Sequence, residues 1–275
     1  MRQFAFSAIV MGVLALVPMG AASAQDFAFE MVQPEEAGGT SVAGNAVTAN
    51  VSSWPATLVF RFQLGGGSYA CTSTVIGPRT VLTAAHCVAD GSVGKIRIGG
   101  TSYVVSCKVH GQYSPGAGKT YDIALCSSDE TIALKAGSKR YESINVDAGQ
   151  IVKKKAITLL GYGCVERIGD NPGLILYEGQ TEIDRISGID IVTTKNATVC
   201  PGDSGGGAYI VESSTKRRVA AINSRVGLDA NGAMNTTSRL TDLTHSSIAK
   251  FIKDWVKDNE AEVCGYNLSG SSCRP

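Results

Sequence analysis

Two short peptides hold residue types that nucleophilic chemistry needs: Thr83-Ala84-Ala85-His86-Cys87, and Cys200-Pro201-Gly202-Asp203-Ser204-Gly205-Gly206-Gly207. A serine hydroxyl is a weak nucleophile at neutral pH and attacks a carbonyl only when a neighbouring base takes its proton. Histidine suits that task, because its unperturbed pKa lies near neutrality. Four glycines, Gly202, Gly205, Gly206 and Gly207, surround Ser204. They describe a turn of unusual dihedrals with no side-chain bulk where a substrate must approach. Such a turn can aim successive N–H groups at one point, as a developing oxyanion requires. A third group must orient the histidine. Tyr121-Asp122-Ile123-Ala124-Leu125 offers a carboxylate set against an apolar run, and an acid in that setting needs a partner if it is buried.

With these peptides in the order His, Asp, Ser, the chain resembles the trypsin/chymotrypsin-like serine endopeptidases over roughly residues 41–257. Subtilisin-like and α/β-hydrolase chains use other orders. The resemblance implies an all-β fold, two antiparallel six-stranded β-barrels with a C-terminal α-helix, and an active site in the cleft between them. It implies His86 as general base and then acid, Asp122 as the group that holds the imidazole tautomer, and Ser204 as nucleophile. The backbone N–H groups of Gly202 and Ser204 would receive the oxyanion, and Ser224 would support Asp122 by a hydrogen bond. These roles are borrowed from the family. A glycine-rich turn beside an ordinary buried histidine is the bland alternative. A catalytically silent binding or adhesion protein and an esterase of small acyl substrates are two further alternatives on the same fold.

Family members commonly activate by cleavage after a basic residue ahead of Ile-Val-Gly-Gly, but here the matching segment is Ser41-Val42-Ala43-Gly44, preceded by Thr40. Residues 25–40 are therefore a candidate short pro-segment removed by a protease of other specificity, or a segment that stays attached. At the position that carries an aspartate in trypsin-like members stands Thr198, and Val226 and Asn235 align with two glycines that usually leave the specificity pocket open. The resemblance then implies a shallow pocket that takes small or medium uncharged residues before the cleaved bond. Arg225 replaces the usual tryptophan after Ser224, which alters the neighbouring subsites. Expected partners are protein or peptide substrates and protein protease inhibitors, with no metal, no organic cofactor, no nucleic acid and a monomeric chain.

The elements that must position these residues are short. β-type runs recur at 57–62, 74–76, 80–83, 95–98, 103–109, 123–126, 156–160 and 220–224, separated by Gly, Pro, Ser and Asn. That spacing predicts a β-sandwich or barrel. Apolar residues at 248, 251, 252, 255 and 256 predict one helix over 246–256. The resemblance places the first barrel at about 41–135 and the second, with the helix, at about 150–262, joined by a polar linker near 135–149. Residues 263–275 would form a disulfide-closed tail.

With 25 basic and 24 acidic residues in 275, the formal charge of +1 gives no reason to expect a polyanionic partner. A hydrophobic content of 44% and 18% charged residues fit a folded chain with a large core. Arg2, an apolar run over 8–19 and the small-residue site Ala22-Ser23-Ala24 read as an export leader over 1–24. A membrane anchor is the alternative, for which the run is short. Export to the secreted or periplasmic compartment accounts for eight cysteines with no CxxC pair. The family's histidine-loop bridge implies Cys71–Cys87, closing a loop worth roughly 3 kcal/mol in the chain-entropy account. Analogy adds Cys107–Cys126, Cys164–Cys200 and Cys264–Cys273. The other two histidines, His110 and His245, read as surface or capping residues, and Lys153, Lys154 and Lys155 as a solvated strand end. Asn50, Asn196, Asn235 and Asn267 fit the glycosylation pattern.

Overall fold

The computed structural model describes residues 28–34, 46–64, 67–116, 118, 120–135, 140–164, 175–228, 230 and 234–275. The export leader expected at 1–24 and most of the 25–40 segment lie outside them. The strands are β1 (Phe29–Val32), β2 (Ala46–Thr48), β3 (Thr57–Leu64), β4 (Gly67–Gly77), β5 (Thr80–Thr83), β6 (Val93–Ile98), β7 (Thr101–Val109) and β8 (Ala124–Ser128). They continue with β9 (Ala156–Gly161), β10 (Tyr177–Ser187), β11 (Asp190–Thr193), β12 (Gly207–Val211), β13 (Arg217–Leu228) and β14 (Met234–Asp242), and α1 spans Ser246–Asp258.

The strands form two barrels, as the family resemblance implies, but the first has seven strands where six were expected. Its order is β1-β3-β4-β5-β8-β7-β6. The added strand comes from the 25–40 segment: β1 pairs antiparallel with β3 and parallel with β6, filling the place between them. Its alternating pattern explains the insertion, since Phe29 and Met31 point inward at 4% and 0% exposure and Phe29 stacks on Phe60. The second barrel runs β11-β14-β13-β12-β9-β10 and closes where β10 pairs back onto β11. β2, although early in the chain, adds to the opening residues of β10.

A core of Ile157, Leu159, Ile183, Ile191, Ile210 and Leu240 fills the second barrel. In the first barrel, and in the seam between the barrels, Leu58, Phe60, Leu82, Ile96 and Leu125 pack with Tyr162 and Tyr209. The predicted helix is present, starting behind His245, whose ring accepts the Ser247 N–H, and burying Ile248, Ile252, Trp255 and Val256. His110 departs from the surface role expected of it. It is 6% exposed, stacked on Tyr121 and packed against Phe251 of α1. The linker departs too, because Tyr141, Glu142, Ser143, Ile144 and Asn145 are all buried. Glu142 can enter because Arg217 contacts both its oxygens, Nη2 at 2.6 Å and Nε at 3.0 Å, while Arg274 lies 3.3 Å away. A buried carboxylate is tolerated only with such partners.

Candidate active site

His86 sits on a single 3-10 turn, Ala85–Cys87, directly after β5. A disulfide from Cys87 to Cys71 on β4 ties that turn to the barrel wall. Three further disulfides join Cys107–Cys126, which face each other across β7 and β8, Cys164–Cys200, and Cys264–Cys273. Asp122 follows Tyr121, whose left-handed backbone (φ 56°) turns the chain between β7 and β8. The Asp122 side chain has no exposed surface. Its Oδ1 accepts the His86 backbone N–H at 2.9 Å. Its Oδ2 lies 2.7 Å from His86 Nδ1 and accepts the Ser224 hydroxyl at 2.6 Å.

Burial alone would raise the Asp122 carboxyl, but the His86 and Ser224 hydrogen bonds outweigh it and hold it below the usual carboxylate range. An ionised oxygen at 2.7 Å assigns the ring proton to Nδ1 and leaves the Nε2 lone pair as the acceptor. His86 and Ser204 line one cleft of about 450 Å³ together with Gly202, Ser224 and Val226.

The loop that holds Ser204 is fixed by its neighbours. Gly202 has φ 105° and Gly205 has φ 85°. A methyl group on Gly202 would fall 2.7 Å from the Gly163 backbone, and one on Gly205 would collide with the Thr72 carbonyl. The N–H groups of Asp203, Gly205 and Gly206 bond to carbonyls of Cys200, Asn223 and Asp203. Among the described residues, the N–H groups of Gly202 and Ser204 have no partner within the chain, so two donors remain in the loop beside the cleft.

Sequence reasoning missed Thr72, which carries no motif. It belongs to β4 of the first barrel, yet its N–H donates to the Ser204 carbonyl at 2.7 Å and its hydroxyl to the Gly202 carbonyl at 2.8 Å. The same hydroxyl accepts from Tyr162 N at 3.0 Å. Beneath the loop, Asp203 accepts the Gly163 and Cys200 N–H groups, each at 2.8 Å. Burial pushes its carboxyl up to about 7 against those two bonds.

The residues expected to shape the specificity pocket separate in space. Val226 lines the cleft, with Leu228 and Met234. Thr198 lines a separate cavity beside Cys200 and Met234, its hydroxyl 2.9 Å from that of Ser238. Asn235, near the start of β14, accepts the Thr237 N–H of its own strand at 2.8 Å, and Met234 lines the cleft beside it. Met234 was missed, because nothing in a single methionine marks it as a pocket residue. No acidic side chain lines the cleft among the described residues.

Two barrels closed on a His86–Asp122 pair whose carboxylate is buried, with a glycine-bounded serine in the cleft, make the chymotrypsin-like fold. The chain belongs to the Trypsin family, whose model matches residues 42–242. A protein named Trypsin from Simulium vittatum is 28% identical over 120 residues, 40% of this chain and 47% of that protein, so the match spans about half of that relative's length. β1 and α1 lie outside the family match.

Two outcomes follow from the loop's supports. Thr72→Val keeps the shape but leaves the buried Gly202 carbonyl without its hydroxyl donor, and is expected to cost about 1–3 kcal/mol in chemical denaturation. For Asp203, the folded value of about 7 lies above that of an unfolded aspartate, near about 3.9. The native state therefore binds more protons between those values, and this contribution to stability falls as pH rises from about 4 to about 7. The difference in Tm between wild type and Asp203→Asn should shrink across that window. A difference that stays level or grows contradicts this account.

Proposed function

We propose that the protein is a secreted serine endopeptidase that cleaves peptide bonds through His86, Asp122 and Ser204 by way of an acyl-enzyme. The observation that carries this reading is the contact of His86 Nδ1 with the buried Asp122 carboxylate, 2.7 Å, in the same cleft as Ser204. Family membership and the four disulfides support it, since disulfides persist in oxidising compartments. Among the described residues no helix is long and apolar enough to cross a membrane.

The steps follow from the positions of protons and charges. Nε2 of His86 takes the Ser204 proton as Oγ attacks the carbonyl carbon, and Asp122 stabilises the imidazolium that results. The oxygen that gains charge is met by the N–H groups of Gly202 and Ser204. His86 then hands its proton to the leaving amine, and water enters by the same route to release the acyl group. Ser224 and the His86 backbone N–H keep the Asp122 carboxylate ionised and fixed while its partner changes charge.

For the residue before the cleaved bond, the apolar lining of Val226, Leu228 and Met234 favours a small or medium uncharged side chain. A lysine or arginine there would lose its hydration without meeting a carboxylate. Casein hydrolysis by wild type and by Ser204→Ala tests the reaction, with a loss of about 10⁴-fold or more expected in the variant. A peptide library read with the same pair tests the pocket: cleavage confined to sites after arginine or lysine sinks the uncharged preference. Equal hydrolysis by both proteins sinks the mechanism.

A further inference from the structure

Arg225 and Arg239 are directly opposite each other on β13 and β14. Like charges in that relation repel, and both side chains turn to the same acceptor, Oδ2 of Asp190 on β11. Arg225 Nη2 is 2.5 Å from that oxygen and Arg239 Nη1 is 3.1 Å from it. Asp190 is 5% exposed, and its Oδ1 is buried without a hydrogen-bond partner among the described residues. The nearby carboxylate of Asp122 is committed to His86 and Ser224. Both guanidinium groups converge on one oxygen of Asp190, Arg225 also reaches the Ser224 hydroxyl at 3.4 Å, and Arg239 keeps 38% of its side chain in solvent.

These arginines edge a surface hollow of about 530 Å³ between the turn at Thr120 and Tyr121 and the β10–β11 hairpin at Gly188. Asp190 is the one acidic residue in its wall among the described residues. Arg225 lines both this hollow and the cleft that holds His86 and Ser204. Arg225 therefore stands between the hollow and the cleft, next in the chain to Val226, which in the proposed reading meets the residue before the cleaved bond. An extended peptide advances about 3.3 Å per residue, so side chains further from that bond on the same side come to the arginines. Guanidinium groups bind carboxylates in a planar, charge-assisted geometry that no uncharged side chain reproduces.

We propose that Arg225 and Arg239 form a subsite for an acidic side chain, selecting substrates with aspartate or glutamate two to four residues before the cleaved bond. This rests on the endopeptidase reading above and names a second determinant of its substrates. The first determinant is apolar and the second ionic, so the preferred sequence carries an acid followed at short distance by an uncharged residue.

The test uses quenched fluorescent peptides with alanine before the cleaved bond and alanine, aspartate, glutamate or lysine at each of the three preceding positions. Wild type is expected to show kcat/KM about tenfold higher for an acid than for alanine at one position, as one charge-assisted hydrogen bond allows, and lower for lysine. High salt should shrink that ratio, an arm that needs no variant. Arg239→Gln should bring the ratio close to one while cleaving the all-alanine peptide at the wild-type rate. Equal rates for acid and alanine at all three positions overturn the subsite but leave the endopeptidase intact. So does an acid preference unchanged in Arg239→Gln or in high salt. No cleavage of any peptide, with Ser204 intact, overturns both readings.

Discussion

Asp122 is an ionised group with no exposed surface, and the two barrels are arranged around the need to keep it satisfied. Its partners come from opposite sides: His86 from the turn after β5 in the first barrel, and Ser224 from β13 in the second. An unpaired charge at that depth costs several kcal/mol, far more than any one hydrogen bond returns. Neither barrel alone completes the set, so docking of the barrels and alignment of the imidazole are one event. The Thr241 hydroxyl, from β14, adds a bond to the Asp122 carbonyl, pinning the backbone as well as the side chain.

The serine loop is held by the same logic at a second seam. Thr72 reaches out of β4 to two carbonyls of the loop, while Asp203 supports it from beneath through two N–H groups. Space is so short that Gly202 and Gly205 have no room for a methyl group. In the proposed mechanism this rigidity has a chemical use. Donors fixed before reaction need no reorganisation when charge develops on the substrate oxygen. A third seam, remote from the cleft, uses Arg217, stacked 3.4 Å above the Trp54 ring and bonded to Glu142 of the linker, to tie the chain's last residues to both barrels.

Several elements were legible because their signal is local. The helix stripe at 248, 252, 255 and 256 faces the core, and the runs at 57–62, 80–83 and 156–160 are strands. β10 and β14 escaped notice because they are mostly polar, with Thr181, Ser238 and Thr241 buried among apolar neighbours and satisfied by Lys195, Val199 and Asp122, all outside their own sheet. β1 escaped for another reason. Four residues carry too little pattern to announce a strand, and β1 is ordered by the gap between β3 and β6. His110 and the linker were misjudged because the rings of Tyr121 and Phe251, and the guanidinium of Arg217, come from distant parts of the chain.

By itself, then, the sequence determined an all-β chain of short strands with one late helix, and which His, Asp and Ser to consider together, because glycine placement, residue type and apolar period are properties of short segments; the two barrels followed only from the family resemblance those motifs carry. The tertiary structure decided which of Thr198, Val226, Met234 and Asn235 face the cleft. It also brought Arg225, Arg239 and Asp190 into one cluster beside it. Those outcomes depend on the direction of each side chain after β11, β13 and β14 pair, and on which buried hydroxyl or carboxylate reaches a partner first. Such contacts span tens of residues, and no local pattern encodes them.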